Sequence, residues 1–104
     1  MLKKINWDDV PVEQVTDKMQ RKMIYGDKVM VAIMKFKDGF LVPLHDHVNE
    51  QVTQVVSGTI RFWFGANKEQ TMDLGPGDSV VIPAHVPHEA LMLGDVVGLK
   101  IFYK

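Results

Sequence analysis

The chain has 104 residues, 46% of them hydrophobic and 24% charged, which is room for one domain with one modest core. Twelve basic residues face thirteen acidic ones, and the net charge of -1 leaves no clustered basic surface for phosphates, so no nucleic-acid partner is expected. No apolar run approaches the roughly 18–20 residues that cross a bilayer, and with no cysteine any metal must rest on nitrogen and oxygen ligands.

From Met1 to Asp9 two lysines appear with no apolar stretch behind them, so no secretory signal is read and a cytoplasmic location is expected. Trp7 to Pro11 suits an extended arm. Pro11 to Met23 accommodates a short helix, since Val12, Val15 and Met19 fall at helical spacing, while Met19 to Tyr25 also reads as a strand ending at Gly26-Asp27. Val29 to Phe36 is a strand running to the Asp38-Gly39 turn, with Met30, Ala32, Met34 and Phe36 on one face. Gln51 to Val56 is a short strand stopped by Ser57-Gly58. Thr59 to Phe64 alternates, with Ile60, Phe62 and Phe64 on one face and Arg61 and Trp63 on the other. Gln70 to Leu74 follows, then the Gly75-Pro-Gly-Asp78 loop and the short strand Ser79 to Ile82. His88 to Leu93 and Val96 to Tyr103 read as a hairpin across Gly94-Asp95. Short strands broken by glycine and proline predict an all-β sandwich or barrel, one domain over 1–104, with 1–25 as an N-terminal arm with strands and 26–104 as the barrel.

The four histidines, His45, His47, His85 and His88, fall in two short stretches. His45 and His47 are two apart, which on a strand places both imidazoles on one face, where they can share one ion. Gln51 has the same parity and an amide oxygen to offer; Glu50 is the rival oxygen ligand. His88 follows the rigid Pro83-Ala-His-Val-Pro87 segment, which fixes its position, and His85 between the prolines reads as a loop residue. A His-x-His pair alone is more often surface decoration than a metal site.

Two longer patterns go further. Gly39-x5-His45-x-His47-x3-Gln51-x6-Gly58 resembles the first cupin motif, with glutamine at the usual glutamate position. Gly77-x5-Pro83-x4-His88 resembles the second. The resemblance spans Gly39 to His88 and implies a double-stranded β-helix (cupin, or jelly-roll) barrel. It further implies one divalent transition metal ion, such as Zn, Ni, Mn or Fe, held by His45, His47, Gln51 and His88. A neutral glutamine oxygen donates less electron density than a carboxylate, so the ion would be the stronger Lewis acid. A homodimer is also implied, with Leu2 to Val15 packing on a partner subunit.

Within the family the chain looks most like small cupins of pectin and alginate breakdown, through Asn49-Glu-Gln51, the Ile-Pro-x3-Pro-His segment and the shape of the last strand. Those relatives carry an acidic residue two positions before the phenylalanine of that strand and an arginine shortly after. Here Lys100 precedes Phe102, and no arginine follows through Lys104. The implied function is a metal-dependent enzyme isomerising a small oxygenated, carbonyl or sugar-acid-like substrate; the alternatives are an Fe(II)-type dioxygenase and a non-catalytic small-molecule or metal-binding module. Lys100 is the candidate catalytic residue, as proton carrier or carboxylate anchor. Phe102, Arg61 and Trp63 are the candidate substrate-binding residues.

Overall fold

A computed structural model describes residues 2–103. After a single 3-10 turn at Trp7–Asp9, every regular element is a strand: β1 (Glu13–Thr16), β2 (Met19–Tyr25), β3 (Val29–Phe36), β4 (Leu41–His45), β5 (Glu50–Phe64), β6 (Gln70–Leu74), β7 (Ser79–Ile82) and β8 (His88–Tyr103). All eight join one antiparallel sheet in the order β1-β2-β3-β8-β5-β6, with β4 added to β8 and β7 to β5.

The two long strands make this sheet a jelly-roll barrel. β5 and β8 pair along nearly their whole length, from Glu50 opposite Tyr103 to Phe64 opposite His88. The first half of β5 also pairs with β7 and its second half with β6. β8 pairs with β4 through its first half and β3 through its second. The pairing slips register between Val55 and Thr59, where bulges bend both strands and fold the sheet over itself. The core lies between the two layers: Ala32, Met34, Phe36, Val55, Ile60, Phe62, Phe64, Leu74, Ile82, Ala90, Met92 and Val96. Ile60, Phe62 and Phe64 point inward as their alternation predicts, which puts Arg61 and Trp63 on the outer face.

Three local expectations are corrected. Ser57-Gly58 does not end a strand and Gly94-Asp95 does not make a hairpin; both sit at bends within continuous strands. At the second bend, Asp38 accepts from the Gly94 amide (2.8 Å) and Asp95 accepts from the Asp38 amide (3.0 Å), so a neighbouring turn supplies what a hairpin partner would have. Pro11 to Met23 forms no helix, because β1 and β2 pair through Glu13–Arg21 and Gln14–Gln20.

Gly58 carries the tightest point of the bend. Its φ is +85°, and a Cβ there would run into the carbonyl oxygen of Asp95 and stand 3.0 Å from the Cα of Val96. Both obstacles are backbone, so they do not swing aside. Gly58→Ala should destabilise the chain by at least about 2 kcal/mol, combining left-handed strain with the clash, read as a lower urea midpoint at unchanged slope.

Candidate metal centre

The histidines come together from three places in the chain. His45 closes β4, His88 opens β8 directly opposite it in the ladder, and His47 stands in the turn leading to β5. The expected single strand face is therefore replaced by a strand end and a turn. The segment between Pro83 and Pro87 is tied to that turn by a hydrogen bond from the His85 amide to the His47 carbonyl (2.8 Å), while the His85 side chain faces solvent at φ +66°. Asn49 pins the same turn by donating to the Tyr103 carbonyl (3.1 Å).

Each imidazole has its Nδ1 against a backbone carbonyl: His45 on Pro43 (2.9 Å), His47 on Asn49 (2.8 Å) and His88 on Val86 (2.9 Å). A carbonyl only accepts, so each Nδ1 carries the proton and each Nε2 keeps a free lone pair. The rings lie 4.3, 5.1 and 5.7 Å apart by centroid, and one ligand atom from each falls within 4.8 Å of the others.

Gln51, only 2% exposed, completes the cluster. Its amide nitrogen donates to the Thr53 hydroxyl (2.6 Å), which turns its carbonyl oxygen toward His47, 2.7 Å from Nε2. With His47 neutral, two lone pairs then face each other at hydrogen-bonding distance with no proton between them. Three imidazole nitrogens and one amide oxygen converge without a donor among them, an arrangement that a cation stabilises. The residues present therefore fit a divalent transition metal ion on nitrogen-rich, uncharged ligands. Glu50 points elsewhere: it is exposed and one position out of phase with Gln51.

Burial, and then the fields of His45, His47 and Lys100, outweigh the hydrogen bond to Val86 and hold the His88 pKa below its ordinary value. Its neutral form, the one that binds metal, thus persists to lower pH than that of a solvated histidine.

Thr53 was not expected at the site, although a small hydroxyl two positions after Gln51 on an inward face is the signal that would have found it. Thr53→Val should free the amide to rotate and lower metal affinity by about 10–100-fold, the range for loss of an outer hydrogen-bond partner, measured by competition with a chromogenic chelator.

Beside the histidines is a cavity of ≈ 260 Å³ lined by Met30, His47, Asn49 and Phe102. The Phe102 ring meets His47 edge-on at 5.5 Å. The Lys100 ammonium lies 5.2 Å from the centre of the Phe102 ring. Burial, followed by the field of Arg21, lowers the Lys100 pKa from 10.5 to about 8. Arg61 and Trp63 are not brought here: Arg61 makes a two-pronged ion pair with Asp73 on the outer face (2.8 and 3.0 Å), and Trp63 lies under Lys68. A larger cavity, ≈ 420 Å³, opens at the other end of the barrel among Lys18, Lys35, Ser57 and Asp95, and none of the histidines lines it.

The model of the cupin domain family matches residues 32–102. Among solved structures, KdgF from Halomonas sp. is similar at 27% identity, covering 92% of this chain and 89% of its own, with a TM-score of 0.83. An RmlC-like cupin from Shewanella frigidimarina is similar at 24% identity, over 92% of this chain and 85% of its own, TM-score 0.83. The polyketide cyclase RemF from Streptomyces resistomycificus shares the fold at 19% identity, over 99% of this chain and 80% of its own, TM-score 0.83. No curated protein matches the chain. No helix among the described residues is long and apolar enough to cross a membrane.

Proposed function

This chain belongs to the cupin domain family, and on that premise we propose that it is a metal-dependent enzyme that isomerises a small carbonyl or hydroxy-carbonyl compound. The fold hosts many chemistries, so the reading rests on the site. One observation carries it: four uncharged acceptors converge at the edge of a small cavity, with a lysine that ligates nothing behind the cavity wall.

A divalent ion held by His45, His47, His88 and Gln51 would polarise a substrate carbonyl and acidify the adjacent C–H. The three backbone carbonyls fix the imidazole tautomers, so the rings need no reorganisation when substrate enters. Met30 and Phe102 give the substrate an apolar wall, and the ≈ 260 Å³ volume keeps it small. Lys100 is the residue assigned to the substrate's negative charge, which its ammonium form would offset, while the C–H proton passes to solvent water and a proton returns from it, the exchange that deuterated buffer reads. Arg61 and Trp63, facing outward, have no part in this reading. We further propose a cytoplasmic location and a homodimer, the latter supported by the solvent-facing Leu2, Ile5, Val12 and Val15 of the N-terminal segment; light scattering tests it.

The experiment is elemental analysis of the untagged protein, followed by proton NMR in deuterated buffer with a panel of small hydroxyketones and keto acids. Metal-dependent exchange of a C–H for deuterium, lost in His47→Ala and needing no oxygen, is the expected result. Oxygen uptake by the iron-loaded protein without such exchange would replace isomerisation by oxygenation. Neither reaction with any of zinc, nickel, manganese or iron(II) would end the enzymatic reading.

A further inference from the structure

We propose that the substrate is a small acid whose carboxylate is held by Lys100, one sheet row deeper in the barrel than the residues that meet its other end. This rests on the reading above, in which that other end sits at the histidines. Ladder partners share a face, and two inward rows lie side by side. Met30, Phe102, Gln51 and Ile82 form the first; Ala32, Lys100, Thr53 and Val80 form the second. A molecule in the first row therefore has Lys100 and Thr53 as its next polar neighbours inward, and Thr53 is already engaged by the Gln51 amide.

Among the described residues Lys100 has no counter-ion. The ion pairs among the described residues are Arg21–Glu13, Arg61–Asp73 and Lys68–Glu89, and no hydrogen bond is formed by the Lys100 ammonium. Its contact is the face of Phe102, and a cation–π contact of about 0.5–2 kcal/mol falls short of replacing a lysine's hydration. The charge that bears on it is that of Arg21, of the same sign. Arg21 is itself occupied, gripping Glu13 through two nitrogens at 2.9 and 3.2 Å, and so does not compete for a ligand.

Two further features favour an anion. The four candidate ligands are uncharged, so they do not themselves offset the charge of a bound cation and Lys100 together. In the third inward row, Arg21–Met34–Gly98–Val55, the residue next to Lys100 along β8 on this face is Gly98, whose missing side chain leaves space. A Cβ there would meet only the Gln54 carbonyl, at 3.4 Å. A carboxylate beside Lys100 would receive charge-assisted hydrogen bonds in a poorly hydrated place, where they are strong.

Two stable chelators that differ by one carboxylate test this: propionohydroxamate and succinomonohydroxamate, titrated calorimetrically into the metal-loaded protein. The carboxylated probe should bind about ten- to a hundredfold tighter. Lys100→Met should abolish that difference while leaving the affinity for propionohydroxamate and the metal content unchanged. In the metal-free chain, propionate should shift the amide NMR signals of Gly98 and Lys100 in the wild type and not in the variant. Lys100→Gln serves as a second variant with the same expectation. Equal affinities for the two probes in the wild type would overturn the proposal while the histidine site stands. Propionohydroxamate binding that ignores His47→Ala and metal removal would overturn both.

Discussion

His47→Ala protein should take up none of zinc, nickel, manganese or iron(II) at concentrations that saturate the wild type. Three properties concentrate the effect at this residue. Its Nε2 is the atom facing the Gln51 oxygen, its ring stands between the other two imidazoles and Phe102, and its Nδ1 is held by the backbone of its own turn. Removing it takes away one ligand directly and leaves the Gln51 oxygen without the partner it faces. The affinity loss should exceed the roughly 10–100-fold that an outer hydrogen-bond partner is worth. The fold should survive, because His47 lies in a turn and contributes nothing to the core cluster. Elemental analysis after dialysis reads the first effect and circular dichroism the second. A His47→Ala protein that keeps a full equivalent of metal would remove the histidine cluster from consideration.

Lys100→Met should make the chain more stable. The folded-state pKa of about 8 lies below the model-peptide value of 10.5, so the unfolded chain holds the proton more tightly than the folded one. Below about pH 8 the penalty is fully present; it fades as pH rises toward 10.5, where both states are neutral. Each pKa step is worth about 1.4 kcal/mol, so the gain at pH 7 should be on the order of 1–3 kcal/mol, several degrees in Tm. The advantage of the variant should shrink steadily above pH 8. A lysine that costs stability where methionine would fit is the pattern expected of a residue retained for function. If the variant is instead less stable at pH 7, the ammonium has a partner in the fold and the reading of Lys100 fails.

The sheet and its core were legible because alternation is a physical requirement of a half-buried strand. Ile60, Phe62 and Phe64 had to face one way, and the row from Met30 to Phe36 had to face inward together. The bends were not legible. Ser57-Gly58 and Gly94-Asp95 carry the residues of turns, and only tertiary partners, Asp38 in one case and the β5–β8 register slip in both, decide that the strands continue. His45, His47, Gln51 and His88 were singled out by spacing and family motif and are brought together in the fold, but His47 stands in a turn and not on the strand face that parity suggested. Thr53 and the Nδ1 carbonyl contacts could not be read from sequence, since they depend on side-chain orientation and on where a turn returns the backbone. Arg61 and Trp63 show the converse. Their outward parity was visible, and a bidentate partner in Asp73, twelve positions on, explains Arg61 without a ligand.

β8 pairs with β3, β4 and β5, and it follows all three along the chain. During synthesis the ribosome therefore delivers the common partner after every strand that depends on it. The β2–β3 and β5–β6 hairpins can form early, yet the inner faces of both stay wet until residues 88–103 emerge, a wait of a few seconds for the second hairpin and up to about ten seconds for the first at usual elongation rates. Long-range pairing of this kind also makes folding slow in itself. His88 arrives with that same strand, so the ion can meet its full ligand set only once the barrel has closed. Metal capture would then report completed folding, and nascent chains stalled before β8 would expose apolar sheet with nothing at the histidines to steady it.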